Sequence, residues 1–145
     1  MSHFTCAILM SLASIAGVAV GEDIALAAKD TTASEALGKA KLLKQFTESV
    51  YPMLTRGGDK SCVSCHNSPE TSSLVLVGNP TDDYQLLLEN NYFNPRQPDS
   101  LLARVTHKKA SVRMPEDGKP WSQRDIQILR SFIAEVKGHE KLDPL

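Results

Sequence analysis

The chain has 145 residues, 16 Lys and Arg against 17 Asp and Glu, and 41% hydrophobic side chains. That length supports one domain around one core, and the scattered bases exclude a nucleic-acid-binding tract. No internal repeat or low-complexity stretch divides it. Phe4 to Val20 is an apolar run that includes Cys6. It is short for a membrane span of roughly 20 residues and fits a secretory leader followed by small residues. Residues 1–21 are therefore expected to be a signal peptide, cut after Gly21 or after Ala27. The start Met1-Ser2-His3 has no Lys or Arg, which leaves an uncleaved anchor as the alternative. Cys6 does not follow a completed apolar run, so a lipid anchor is not expected there. Residues 22–32, polar and Ala-rich, read as a flexible lead-in, residues 33–138 as the folded domain and residues 139–145 as a tail.

Within that domain Ala36/Leu37, Ala40, Leu43, Phe46, Val50 and Met53/Leu54 recur at helical spacing, with Ser34 placed to cap. Gly57-Gly58 ends this helix. Leu74 to Val77 is a short β-branched run, suited to an extended stretch before the turn signal Gly78-Asn79-Pro80. Thr81 can cap a helix carrying Tyr84, Leu87 and Leu88. After an Asn/Pro-rich loop over 90–98, Asp99 or Ser100 can cap a short helix through Leu101, Leu102 and Val105. Residues 108–120 form a loop with Pro115, Gly118 and Pro120. Ser122-Gln-Arg-Asp125 resembles a capping box, opening a last helix with Ile126, Leu129, Phe132/Ile133 and Val136 on one face, ending near Gly138. The expected class is all-α, with the two terminal helices packing their apolar stripes together.

Between the first helix and Leu74 lies Cys62-Val63-Ser64-Cys65-His66. C-x-x-C-H is the attachment signature of a c-type haem. Two thiols about one helical turn apart can each add to a porphyrin vinyl group, and the adjacent histidine supplies the iron's proximal nitrogen. A thioredoxin-like dithiol would open a helix after a strand in a βαβ pattern, which this neighbourhood lacks. A tetrahedral zinc site needs a further Cys or His pair, and no Cys follows Cys65. One covalent haem c is the expected cofactor, and it would fill much of the core. The candidates for a second iron ligand after the motif are His107, Met114 and His139. Met114 is preferred: it lies among charges on a loop, where a core methionine is out of place, and Pro115 restricts its backbone to extended conformations. His107 beside Lys108-Lys109 reads as a surface residue, and His139 as tail. Arg113 joins Met114 as a candidate cofactor-binding residue. Trp121, seven residues on, could bring its indole N–H to a haem propionate.

From about Tyr51 to Val136 the chain resembles the small class-I-type cytochrome c domains abundant in planctomycetes and related bacteria. The similarity rests on Cys62–His66, on Pro98-Asp-Ser-Leu-Leu-Ala-Arg-Val105, on Met114-Pro115, and on Ser122-Gln-Arg-Asp-Ile126 with Phe132-Ile133. It departs at Glu116, where a second Pro is usual, and at Phe132, where Trp is common. The resemblance implies Cys62 and Cys65 as attachment residues, His66 as proximal ligand and Met114 as distal ligand. It implies a periplasmic electron carrier rather than an enzyme, exchanging single electrons with redox protein partners. A fixed relay subunit of a membrane or periplasmic redox complex is the alternative; a haem sensor or catalyst would require an open sixth position. Charge is uneven along the domain. From Asn67 to Asp99 five acids face Arg96 alone, whereas from Ser100 to Arg124 six bases face Glu116 and Asp117. Such a dipole suits an encounter with an acidic partner surface.

Overall fold

The computed structural model describes residues 21–70, 72–116 and 119–140, with side chains from Ala33 onward except those of Asp59 and Glu140. The leader expected over 1–21, Gly21 apart, lies outside the described residues, as do the last five residues of the tail. The chain divides into two units, residues 1–33 and residues 34–145. Within the first, residues 21–33 are helical.

Every regular element among the described residues is helical. They are α1 (Gly21–Gln45), a π-turn (Phe46–Val50), α2 (Tyr51–Thr55), a 3₁₀ turn (Gly58–Lys60), α3 (Cys62–Cys65), α4 (Pro80–Glu89), α5 (Leu101–Val105) and α6 (Gln123–Glu140). The all-α expectation holds. None of these helices is long and apolar enough to cross a membrane.

The start of α1 differs from expectation. Residues 22–32 are helical rather than a flexible lead-in, and Ser34 lies inside the helix instead of capping it. Ala25-Leu26-Ala27-Ala28 and the absence of Gly or Pro between Glu22 and Leu37 favour helix. The buried stripe is also shifted. Ala36, Leu37 and Ala40 are exposed, while Gly38, Leu42, Phe46 and Val50 face inward. The π-turn explains the later part of that spacing: Tyr51 N–H reaches back five residues to Phe46 O. This wider turn keeps Phe46 and Val50, four apart, on one side.

The terminal helices of the larger unit pack together as expected. Phe46 meets Phe132 at a centroid distance of 5.9 Å. Gln45 Nε2 donates to Glu135 Oε1 at 3.0 Å, and Lys41 pairs with the other oxygen at 3.4 Å. Gln45 first, and Lys41 after it, hold the Glu135 carboxyl below its ordinary range. His139, read as tail, belongs to the last turn of α6. Its ring fills the space over Gly38, where an added Cβ would lie 2.4 Å from Cε1.

The core does not wait for a cofactor to supply its aromatic mass. Phe46, Tyr84, Phe93 and Phe132 cluster with centroids between 5.2 and 6.3 Å apart. Tilted and edge-on pairs of this kind add to plain area burial. Asn79, not Thr81, caps α4: its Oδ1 accepts from Thr81 N and Asp82 N, and Pro80 occupies the first helical position. Proline suits that position because its missing N–H would have had no intrahelical partner. Ser100 caps α5 as expected. Ser122 and Asp125 form the anticipated reciprocal cap, Ser122 Oγ accepting from Asp125 N at 3.1 Å and Asp125 Oδ2 accepting from Ser122 N at 3.2 Å.

Candidate functional site

The segment carrying the cysteines is built by its own backbone. Gly57, at φ 115°, takes a left-handed conformation that suits glycine. The 3₁₀ turn follows, and Ser61 then adopts an extended conformation as N-cap of α3. Ser61 Oγ accepts from Ser64 N at 3.1 Å and lies 2.6 Å from Ser64 Oγ. Ser64 Oγ must donate to Gly58 O, because a carbonyl oxygen only accepts. The Ser61 hydroxyl therefore donates to Ser64, and each group in the chain is used once. The single turn puts Cys62 half-buried and Cys65 exposed, with His66 N–H closing back on Cys62 O at 2.8 Å. Burial pushes the Cys62 thiol up to about 11, with Cys65 adding a smaller push. A thiol so raised stays protonated at neutral pH, which is unlike the activated thiolate of a redox dithiol.

His66 lies at the end of α3. Its Nδ1 is 2.7 Å from Ser72 Oγ and 3.2 Å from Leu74 O. Since Leu74 O can only accept, Nδ1 carries the proton, and in the neutral ring Nε2 is left with its lone pair. The segment supplying that carbonyl, 74–77, has no regular secondary structure and pairs with no strand among the described residues. It is held instead by Leu76 N–H donating to His66 O and by Asp83. Asp83 is fully buried; its Oδ1 accepts from Val77 N at 2.7 Å and its Oδ2 from Gly78 N at 3.2 Å. The Tyr51 hydroxyl also bonds to Asp83, and burial together with that carboxylate raises the Tyr51 phenol above its ordinary value.

Met114 approaches from the other end of the sequence. Its N–H donates to Arg104 O at 3.0 Å, tying the loop to the end of α5. The Met114–Pro115 peptide bond is cis. Cys62, His66 and Met114 line one cavity of about 160 Å³, whose walls include Leu54, Leu74, Leu76, Leu87 and Leu101. The fold thus brings together three residues up to 52 positions apart in sequence. Cys65, exposed, is not among the lining residues. Ser72, Tyr92, Asp99 and Arg104 also line the cavity and had no sequence signal pointing to a site. Of these, Asp99 and Arg104 lay in a segment, Pro98 to Val105, that the sequence singled out.

The other candidates lie elsewhere. His107 is exposed, its Nδ1 occupied locally by Lys109 N at 3.1 Å, and His139 packs on Gly38. Trp121 is buried but lines a second cavity of about 470 Å³, with Met53, Arg56, Lys60, Pro115 and Lys119. Arg56 pairs there with Asp125 at 2.7 Å and is the leading cause that holds the Asp125 carboxyl below its usual range. Consecutive residues connect the two cavities: Met53 and Pro115 line one, Leu54 and Met114 the other.

These residues fit a haem in donor chemistry. A histidine whose Nδ1 is hydrogen-bonded away and a thioether line one largely apolar cavity beside a cysteine. Arg113, next to Met114 in sequence but not among the residues lining either cavity, has a buried Nε with no hydrogen-bond partner among the described residues. The cavity is smaller than the ~300–1,000 Å³ of ordinary cofactor sites, so admitting a macrocycle requires the walls to part. Among the described residues no group of three or more His, Cys, Asp or Glu side chains is arranged to hold a metal ion, so Cys62, Cys65 and His66 do not form a zinc-like cluster. Comparisons with protein-family models, curated proteins and solved structures found no match to this chain.

Proposed function

We propose that this chain is an exported monohaem c-type cytochrome, periplasmic in location, that passes single electrons between protein partners and is not an enzyme by itself. The observation that carries this reading is the cavity shared by Cys62, His66 and Met114. Bound there, haem would supply one-electron iron chemistry at a potential raised by thioether ligation and burial. The thiols of Cys62 and Cys65 would hold it covalently. His66 would offer Nε2 because its other nitrogen is committed to Ser72 and Leu74. Met114 would supply the second protein ligand to the iron, which would leave no site there for a substrate. Arg113, adjacent to Met114, and Trp121, in the cavity that Pro115 also lines, would contact the group's periphery.

Docking is assigned to the basic stretch on the Met114 side. Lys108, Lys109 and Lys119 are exposed, whereas Arg104 is already engaged by Asp99. A partner presenting acidic groups would associate faster at low salt than at high salt. The direct test of the whole reading is a haem stain of protein denatured in thiol reductant. Covalent haem survives that treatment; absence of stain from the wild type, expressed with a haem-attachment system, refutes the proposal.

A further inference from the structure

We infer that Ser72 is a positioning residue that shares the Nδ1 proton of His66 with the Leu74 carbonyl and thereby lowers the reduction potential of the iron; this rests on the reading of His66 as an iron ligand. Ser72 Oγ lies 2.7 Å from His66 Nδ1 and accepts from Leu74 N–H at 3.1 Å. The Leu74 carbonyl, 3.2 Å from the same nitrogen, requires the proton to be on Nδ1. That proton is therefore shared between a backbone carbonyl and a side-chain hydroxyl. Both acceptor pairs of the hydroxyl are then in use, one by the ring and one by Leu74 N–H. The arrangement is local: residues 66, 72 and 74 close a small loop around one nitrogen, and Asp83 anchors its far end through Val77 and Gly78.

The consequence is electronic as well as geometric. Each acceptor on Nδ1–H draws the proton outward and leaves more electron density on the ring. Density at Nε2 stabilises the higher charge of oxidised iron more than the lower charge of reduced iron. Ser72 thus lowers the potential that His66 and Met114 would otherwise set, and the backbone carbonyl alone sustains part of the effect. Removing the hydroxyl shifts the potential upward.

The test compares wild type, Ser72→Ala and Ser72→Thr, each as full chain matured with haem. Two readouts are taken: the midpoint potential, and the exchange rate of the His66 Nδ1 proton measured by NMR on the reduced protein. Ser72→Ala is expected to raise the potential and to speed that exchange roughly tenfold, the equivalent of one net hydrogen bond. Ser72→Thr, which keeps the hydroxyl, should restore both values. An unchanged potential in Ser72→Ala, or a threonine variant that behaves like alanine, overturns the assignment. If the wild type carries no covalent haem, the proposed function itself fails, and the role of Ser72 is read from the exchange rate of the His66 Nδ1 proton in the metal-free chain. Faster exchange of that proton in Ser72→Ala than in the wild type then sustains the positioning role; equal rates in both overturn it.

Discussion

Replacing Asp83 with alanine should be among the most damaging single changes in this chain. The carboxylate is fully buried and accepts from Val77 N, Gly78 N and the Tyr51 hydroxyl. A hydrogen bond to a charged group contributes about 1.5–3 kcal/mol, and a buried donor left unpaired costs about 1–3 kcal/mol. Two terms reduce the sum. Val77 and Gly78 are exposed residues, so water can reach their N–H groups once the carboxylate is gone, and removing a buried charge relieves its desolvation. The balance is a loss of about 2–3 kcal/mol, a large share of the 5–15 kcal/mol of a typical domain. For a unit of this size it lowers Tm by roughly 10–20 °C. Thermal and urea unfolding followed by circular dichroism would measure it. Asp82→Ala is the matched control, because Asp82 has the same charge in the same helical turn but is exposed. Its loss should cost only about 0.3–1 kcal/mol, the worth of an acid near a helix N-terminus. If Asp83→Ala is no more destabilising than Asp82→Ala, the reasoning about the buried carboxylate is wrong.

If the protein holds haem as proposed, Met114→Ala should abolish the sulfur-to-iron absorption band of its oxidised form, lower the potential and admit carbon monoxide to the reduced form. His107→Ala should leave all three unchanged, and the reverse pattern would reassign the ligand. In haem-free protein at pH 8, an alkylating reagent should label Cys65 well before Cys62, because burial holds the Cys62 thiol near 11; equal rates would contradict that burial. Asp125 titrates below its ordinary value of 3.8, chiefly through Arg56. Its stabilisation is therefore present above that value and is lost as the pH falls through the lowered one. Arg56→Ala should lower stability at pH 6 by less than about 1 kcal/mol, since Arg56 is largely exposed, and the difference from wild type should vanish in strong acid.

The sequence alone determined the features that rest on local chemistry. The Cys62–His66 string, the Ser122/Asp125 cap and the Ser100 cap are each decided within a few residues by donor and acceptor spacing, so they could be read directly. The all-α class followed from helical periodicity in Leu129, Phe132/Ile133 and Val136. Where several local solutions compete, the sequence was ambiguous. Asn79 displaced Thr81 as cap because Pro80 suits the first helical position. The buried stripe of α1 runs through Gly38 and Leu42 rather than Leu37, and the π-turn at Phe46–Val50 carries it on to Val50, a wider turn that no 3.6-residue pattern could anticipate. Only the tertiary structure decided which distant residues share a site. It set Met114 with Cys62 and His66 and put Trp121 into the neighbouring cavity. It also brought Ser72, Leu74 and Asp83 to the support of His66. Those placements depend on how α3, the 74–78 segment and the Met114 loop pack on one another. Such packing couples residues far apart in sequence, and no local spacing records it.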